Sequence, residues 1–520
     1  MRVVLLLLGL CSVASASEGP NVVLVVADDL GAYDLGCTGS TFYETPRIDG
    51  IAAGGVTFTR AYASCQVCSP SRASLMLGTA PPRHGITDYI GAKSGTEWRK
   101  ANRYTPLLPP AFADALPAGE VTVAGAFREA GYRTFYAGKW HLMPKAGSDG
   151  LPTDHGFDVN VGGHAAGTPP GGYFSPYKNK FLPDGPPGES LPVRLGAETA
   201  RFIKENADRP FFAVLAFHTP HGPIQTERSR WAYFREKAER AGLAGPADRF
   251  EFDGPLPVRT RQDHPVYAGM LAAMDDAVGV VLDQLKASGL EDETVVVFTS
   301  DHGGVVSGDG YSTSNGPLRG GKGRQWEGGL RVPLLVRGPG VPTGTSDVPT
   351  INMDLYPTLL SLCGLPGRPG QHVDGVDVSP VFRGGTVGPR PLFWHYPHYG
   401  NQGGDPSGVV RLGDFKLVRY YDGRGDELYD LAADPGERHD VSGAYRSRAG
   451  ELGRLLDEWL AETGAKFPTR DPEFDAAAFR RWNRQNLEGR EPRLERAHAG
   501  FLRPGWRPNA TWWGSQPADD

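Results

Sequence analysis

Apolar positions along the chain follow two patterns. Unbroken β-branched and apolar runs occur at Asn21–Ala27 (N-V-V-L-V-V-A) and Thr294–Ser300 (T-V-V-V-F-T-S). Neither alternates, so both read as strands buried on two faces within a parallel sheet. Two further strand-like runs cover residues 133–137 and 211–217. Between them, apolar residues recur at helical spacing over 121–130, stopped by Gly131, and over 267–288, stopped by Gly289. Strands alternating with helices predict an α/β domain, a large doubly wound and mostly parallel sheet flanked by helices.

Each of these runs ends in side chains that can do chemistry. Asn21–Ala27 closes at Asp28-Asp29 and Thr294–Ser300 at Asp301-His302; the other two precede Lys139 and His141, and His218 and His221. Open α/β sheets collect their sites outside the carboxyl ends of the strands. Carboxylates gathered there repel one another, and a divalent cation is the usual remedy. Oxygen-rich ligation favours calcium or magnesium, while His302 leaves room for a transition metal.

The pattern changes after the loop at 383–389, which predicts a boundary and assigns 17–385 to the α/β domain. Short strand-like pieces at 408–412, 415–421 and 427–431 precede a helix over 446–463, predicting a C-terminal α+β subdomain, an antiparallel sheet with a packed helix, over 386–465. Residues 466–520 mix charge, proline and tryptophan without a period and read as a surface-wrapping or partly disordered tail. Within it, Asn509-Ala510-Thr511 is a glycosylation sequon. At the other end, Arg2, an apolar run over 3–10 and Ala14-Ser15-Ala16 have the layout of a cleavable signal peptide, residues 1–16. The expectation is a secreted or periplasmic protein. The apolar run falls short of the roughly 20 residues a span needs, and no other segment reads as a membrane span.

Net charge is −6 with no long basic run, which removes any electrostatic case for nucleic acid. An anionic substrate must therefore meet local cations. Of five cysteines, Cys11 falls in the signal segment, and the remainder are too few for a disulfide framework in 520 residues. Cys65-Gln66-Val67-Cys68 is formally C-x-x-C; with no second such pair it argues against structural zinc and leaves a redox pair as one alternative.

Cys68-Ser69-Pro70-Ser71-Arg72 resembles the C-x-P-x-R signature of the type I, formylglycine-dependent sulfatases, arylsulfatase-like members of the alkaline-phosphatase superfamily. Three other blocks resemble the same family. Residues 131–141 match G-Y-x-T-x-x-x-G-K-W-H; 218–225 carry H-x-P-(L/I)-Q with His221 on the histidine; 318–322 and 327–333 follow, with Lys322 as a second lysine. Glu427-Leu428-Tyr429-Asp430 and Asp434-Pro435-Gly436-Glu437 extend the likeness to about residue 440. The chain departs from the pattern at Gln66, Leu77 and His302, where a small residue, threonine and asparagine are common. The first two touch recognition by a maturation enzyme, the third the metal preference.

The resemblance implies a sulfuric ester hydrolase. Cys68, oxidised to formylglycine by a formylglycine-generating or equivalent enzyme, would supply a geminal-diol nucleophile. Asp28, Asp29, Asp301 and His302, with the modified Cys68, would hold one calcium ion. Arg72, Lys139 and Lys322 would surround the sulfate; His221, with Lys322, would protonate the leaving oxygen, and His141 would deprotonate the second hydroxyl. Arg72 stands one helical turn beyond Cys68, and Pro70 suits the first turn of that helix. A sulfated saccharide is the leading substrate. The aromatic and histidine cluster at 394–399 could stack a sugar ring and equally suits packing between domains. The alternatives are a phosphate monoester or diester hydrolase of the same superfamily, and a secreted non-catalytic binding protein on the sulfatase fold.

Overall fold

A computed structural model describes residues 19–101, 104–145, 149–245, 248–254, 256–509 and 515–517; the segment read as a signal peptide lies outside the described residues. Eight strands form the central sheet: β1 (Asn21–Ala27), β2 (Val56–Phe58), β3 (Arg133–Gly138), β4 (Val159–Val161), β5 (Phe211–Ala216), β6 (Thr294–Ser300), β7 (Leu334–Arg337) and β8 (Gly344–Ser346). Their order is β8-β2-β7-β6-β1-β5-β3-β4. β7 runs antiparallel to both neighbours, and every other pair is parallel.

The unbroken apolar runs are explained by cores on both faces. Val23, Val25 and Ala27 of β1 pack on one side with Phe298, Leu215 and the helix Pro265–Ala287. Val22, Leu24 and Val26 pack on the other with Val297, Val214 and the helices Val123–Glu129 and Leu355–Leu362. Pro265–Ala287 is long and apolar enough to cross a membrane, which the sequence reading overlooked. In the fold it is a core helix. It lies so close to the helix Leu191–Glu205 that a Cβ on Gly196 would come within 2.6 Å of the Ala277 carbonyl oxygen.

Past residue 385 a second sheet runs β9 (Leu392–Tyr396), β10 (Ser407–Leu412), β11 (Phe415–Tyr420) and β12 (Glu427–Asp430), wholly antiparallel, with the helix Arg446–Glu462 packed against it. A buried ionic group fastens it to the α/β domain through the short helix Glu327–Leu330 and Tyr62. Lys416 Nζ of β11 lies 3.1 Å from Glu327 Oε1 and 2.8 Å from Glu437 Oε1, and the Tyr62 hydroxyl donates to Glu327 Oε2 at 2.8 Å. Removing one member of such a set strands a buried charge and costs about 3–5 kcal/mol.

Two helices lie in the described part of the tail. Ala476–Leu487 is capped by the Asp475 carboxylate, which accepts from the backbone N–H groups of Ala477 and Ala478, and Arg490–Phe501 follows. Both helices are short and charge-rich, so packing on the α/β domain stabilises them more than an apolar stripe does. Beyond them, Asn509 is buried and exchanges two hydrogen bonds with the Thr226 backbone. In the folded chain its side-chain amide is committed there.

Candidate active site

Strand register sets the site. Ala27 pairs with Ser300, Val26 with Ala216, and Ala216 with Gly138. Four strands therefore end level, and the residues that follow emerge on one edge. Backbone bonds carry the ladder a step further: Asp301 N–H donates to Ala27 O at 3.1 Å, Lys139 N–H to Ala216 O at 2.7 Å, and Asp28 N–H to Thr219 O at 3.1 Å. Gly138 has φ +98°, and a Cβ there would stand 1.9 Å from the Ala216 oxygen, so only glycine permits this turn into Lys139. Asp29 and His141 hold left-handed backbones, φ 69° and 57°, the kind of strain that collects at functional sites.

The helix Cys68–Leu77 meets this edge end-on. Cys68 is its first residue, and Arg72, one turn on, reaches the same place. Arg72 Nε donates to Asp301 Oδ2 at 2.8 Å and Nη1 to Lys139 O at 2.9 Å, while Nη2 has no partner among the described residues. Cys68 Sγ lies 3.3 Å from His302 Nε2 and 3.7 Å from Asp28 Oδ1. Lys139 Nζ pairs with Asp28 Oδ2 at 2.6 Å and Lys322 Nζ with Asp29 Oδ1 at 2.7 Å. His221 Nε2 lies 3.8 Å from Asp29 Oδ2. The residues named from sequence for catalysis and for the metal thus gather on one strand edge.

Hydrogen bonds select the tautomer of each histidine. His302 Nδ1 donates to Gly303 O at 3.1 Å, leaving Nε2 to face Cys68 and the carboxylates. His141 Nε2 donates to Ile90 O at 3.1 Å, leaving Nδ1 as the acceptor. His221 Nδ1 donates to Gly222 O at 2.8 Å, leaving Nε2 toward Asp29. His218 is buried with both ring nitrogens unpartnered among the described residues.

Charge here is concentrated and almost dry. Burial and Asp301 push the Asp28 carboxyl well above the usual range despite Lys139. Burial pulls His302 down, but Asp301 and Cys68 overcome it and lift the imidazole to about 9. Burial raises the Cys68 thiol, yet Lys139, Lys322 and His302 outweigh it and hold it well below an ordinary thiol. Burial depresses His221 to about 4 and moves His141 in the same direction.

Asp28, Asp29, Cys68 and His302 offer donor atoms within 4.8 Å of one another, the one such group among the described residues. Oxygen donors, together with an imidazole whose Nδ1 is tied to the Gly303 carbonyl so that Nε2 faces the carboxylates, would suit a divalent cation, which would displace the Nε2 proton that Asp301 and Cys68 favour. Asp301 sits beside this group, its Oδ1 3.5 Å from His302 Nε2 and its Oδ2 committed to Arg72. Cys65 and Cys68 are both free thiols.

Above Cys68 opens a cavity of about 240 Å3, bordered also by His141, His221, Lys322, Tyr89, Lys145 and Asp309. The sequence reading did not include the last three, because no local pattern distinguishes them. It also missed Ser69, whose hydroxyl donates to His141 O at 3.0 Å and accepts from Ile90 N–H at 3.0 Å, and Tyr173, whose hydroxyl bonds the His218 and His221 carbonyls at 2.8 and 2.7 Å. The 394–399 cluster divides between its two readings. Trp394, His395 and His398 are buried in packing, Tyr396 borders the cavity, and Tyr399 is partly exposed.

The family profile described as Sulfatase matches residues 20–365. The chain belongs to the sulfatase family. A second profile, N-sulphoglucosamine sulphohydrolase, C-terminal, matches 322–463 and so takes in the small sheet and its helix. The chain is 32% identical to arylsulfatase A of Homo sapiens over 501 residues, covering 87% of this chain and 89% of that protein. It is 31% identical to N-acetylgalactosamine-6-sulfatase of Canis lupus familiaris over 430 residues, 78% of this chain and 72% of that one. Among solved structures, Ps i-CgsB in complex with k-i-k-neocarrahexaose superposes with a TM-score of 0.69 at 26% identity, covering 92% of this chain and all of that one (100%). This sulfatase is therefore an enzyme, and the non-catalytic reading is set aside.

Proposed function

We propose that this sulfatase removes sulfate from a sulfated saccharide, using Cys68 converted to formylglycine and one calcium ion held by Asp28, Asp29, Asp301 and His302. The observation that carries the reading is the meeting of Cys68, His141, His221 and Lys322 on one cavity, with Arg72 and Lys139 directly behind it. The saccharide class is supported by what two of the similar proteins are named for or bound to: an N-acetylgalactosamine-6-sulfatase and a neocarrahexaose complex. A phosphate ester hydrolase with two metals finds no second ligand group among the described residues.

Formylglycine, when present, supplies as its hydrate one hydroxyl to attack sulfur and a second whose ionisation releases sulfate. The cation, when bound, polarises a sulfate oxygen and favours the ionised hydroxyl. Arg72, Lys139 and Lys322 bind the sulfate and stabilise the charge that builds on its oxygens. His141 Nδ1, its other nitrogen tied to Ile90, is oriented to take a proton at position 68. His221, with its pKa at about 4, is neutral in the free enzyme at pH 7 and keeps its one ring proton on Nδ1; as the anionic sulfate binds it would take up a second proton at Nε2 and pass that proton to the leaving oxygen.

A leaving-group acid matters in proportion to how badly the leaving oxygen needs a proton. His221→Gln should lower kcat on a sugar sulfate roughly 100-fold, yet on 4-nitrophenyl sulfate, whose phenolate departs unaided, by less than about tenfold. Equal losses on the two substrates would remove His221 from this role.

Export through residues 1–16 is part of the same proposal, resting on their charged, apolar and small-residue order. Protein recovered outside the cytoplasm should begin at Ser17 by N-terminal sequencing; intact chains retained in the cytoplasm would overturn it.

A further inference from the structure

We propose that a second, aromatic-walled cavity beside the Cys68 pocket is a subsite for the neighbouring sugar ring of the substrate, so that this chain acts on an oligosaccharide and not on an isolated sulfated monosaccharide. The inference deepens the saccharide reading and rests on it. The cavity holds about 240 Å3, and Asn401 stands in the walls of both cavities. Asn401 Nδ2 donates to the Tyr89 hydroxyl at 3.2 Å, and Tyr89 faces the Cys68 side. A chain bound across that partition would place one ring over Cys68 and the next in the second cavity.

The lining has the chemistry of a pyranose. Buried Trp98 backs the partly exposed Tyr399, their centroids 5.8 Å apart and planes at 13°. Phe479 and Trp482, 6.5 Å apart at 20°, come from the tail helix Ala476–Leu487 and are both partly exposed. Flat rings with electron-rich faces suit the C–H face of a sugar, which carries slight positive charge. Polar groups share the lining and could meet hydroxyls: Asn483, Arg490 and Asp405, the last held by Arg424 at 3.0 Å. A purely apolar ligand would leave those groups unused.

The second cavity is also fixed in position relative to the first. Its loop, residues 399–405, lies so close to the residue after Lys322 that a Cβ on Gly404 would stand 1.7 Å, and one on Gly400 2.2 Å, from the Gly323 carbonyl oxygen. The distance from Lys322 to the aromatic wall is thus set by backbone packing. It is the tail, beyond the small sheet, that contributes Trp482 and Arg490.

The test compares chain lengths. Chondroitin 6-sulfate and κ-carrageenan oligosaccharides of defined size are assayed as disaccharide and tetrasaccharide, with 4-methylumbelliferyl sulfate alongside, for the wild type and for Trp482→Ala. The expected result is a higher kcat/KM on the tetrasaccharide in the wild type, and a drop of about tenfold in the tetrasaccharide-to-aryl ratio in the variant. No length preference in the wild type, a preference that survives Trp482→Ala, or equal losses on all substrates would each overturn the subsite. If the wild type hydrolyses the aryl sulfate but no saccharide, the saccharide reading itself fails and the subsite falls with it.

Discussion

Cys68→Ala should abolish sulfate release, with an expected loss of about 10⁴-fold or more in kcat, while the protein stays folded. The thiol is 3% exposed, and its polar neighbours are His302 and Asp28. Truncation removes one atom at the floor of an open cavity, so little packing is lost; the nucleophile is lost entirely. Cys68→Ser sharpens the test. A serine can attack sulfur once, but it has no second hydroxyl whose ionisation would expel the sulfate. The variant should release one equivalent of alcohol and stop, leaving sulfate on the introduced hydroxyl. Mass spectrometry of the tryptic peptide 61–72 reads both outcomes, and in the wild type it should show an aldehyde in place of the Cys68 thiol. An unmodified cysteine in fully active protein, or turnover by the alanine variant within tenfold of wild type, would rule out the formylglycine chemistry.

How legible the site is depends on how local each contribution is. The strands ending at Asp28 and Asp301 could be read because burial on two faces imposes an unbroken apolar run, and the register then brings their ends level without further instruction. Lys139, His221 and Lys322 needed the family likeness, since a lone Lys or His after a strand carries no pattern of its own. Ser69, Tyr89 and Tyr173 escaped both routes. Their partners lie 45 to 312 residues away in sequence where separation is large, as for Tyr173 with His218 and Tyr89 with Asn401, and no periodicity encodes such a contact. The tail helices escaped because arginine and alanine are their commonest residues and large apolar side chains are few in them. Their share of the second cavity, Phe479 and Trp482, becomes meaningful only when Tyr399 and Trp98 are found in the same lining.

The clearest physical consequence of the site concerns the cation. Asp28 and Asp29 are each paired with a lysine, Lys139 at 2.6 Å and Lys322 at 2.7 Å, and these are two of the three cations proposed to bind sulfate. A divalent ion, if held by those carboxylates, would take over their charge and leave the ammonium groups of Lys139 and Lys322 free to meet the substrate. Chelation should therefore cut kcat/KM by about 10³-fold, equivalent to several kcal/mol of lost charge stabilisation. Stability provides a readout independent of turnover. An ion at 100 times its Kd stabilises the folded chain by about 2.7 kcal/mol, which for a chain of this length raises Tm by about 3 °C. Calcium added to chelator-treated protein should give that shift, and Asp29→Asn should lose most of it. Magnesium should be less effective, because a site that mixes three carboxylates with an imidazole does not enforce the octahedron magnesium demands. A Tm and an activity that ignore both chelator and calcium would show that the lysines, not a metal, are the permanent counter-charges of Asp28 and Asp29.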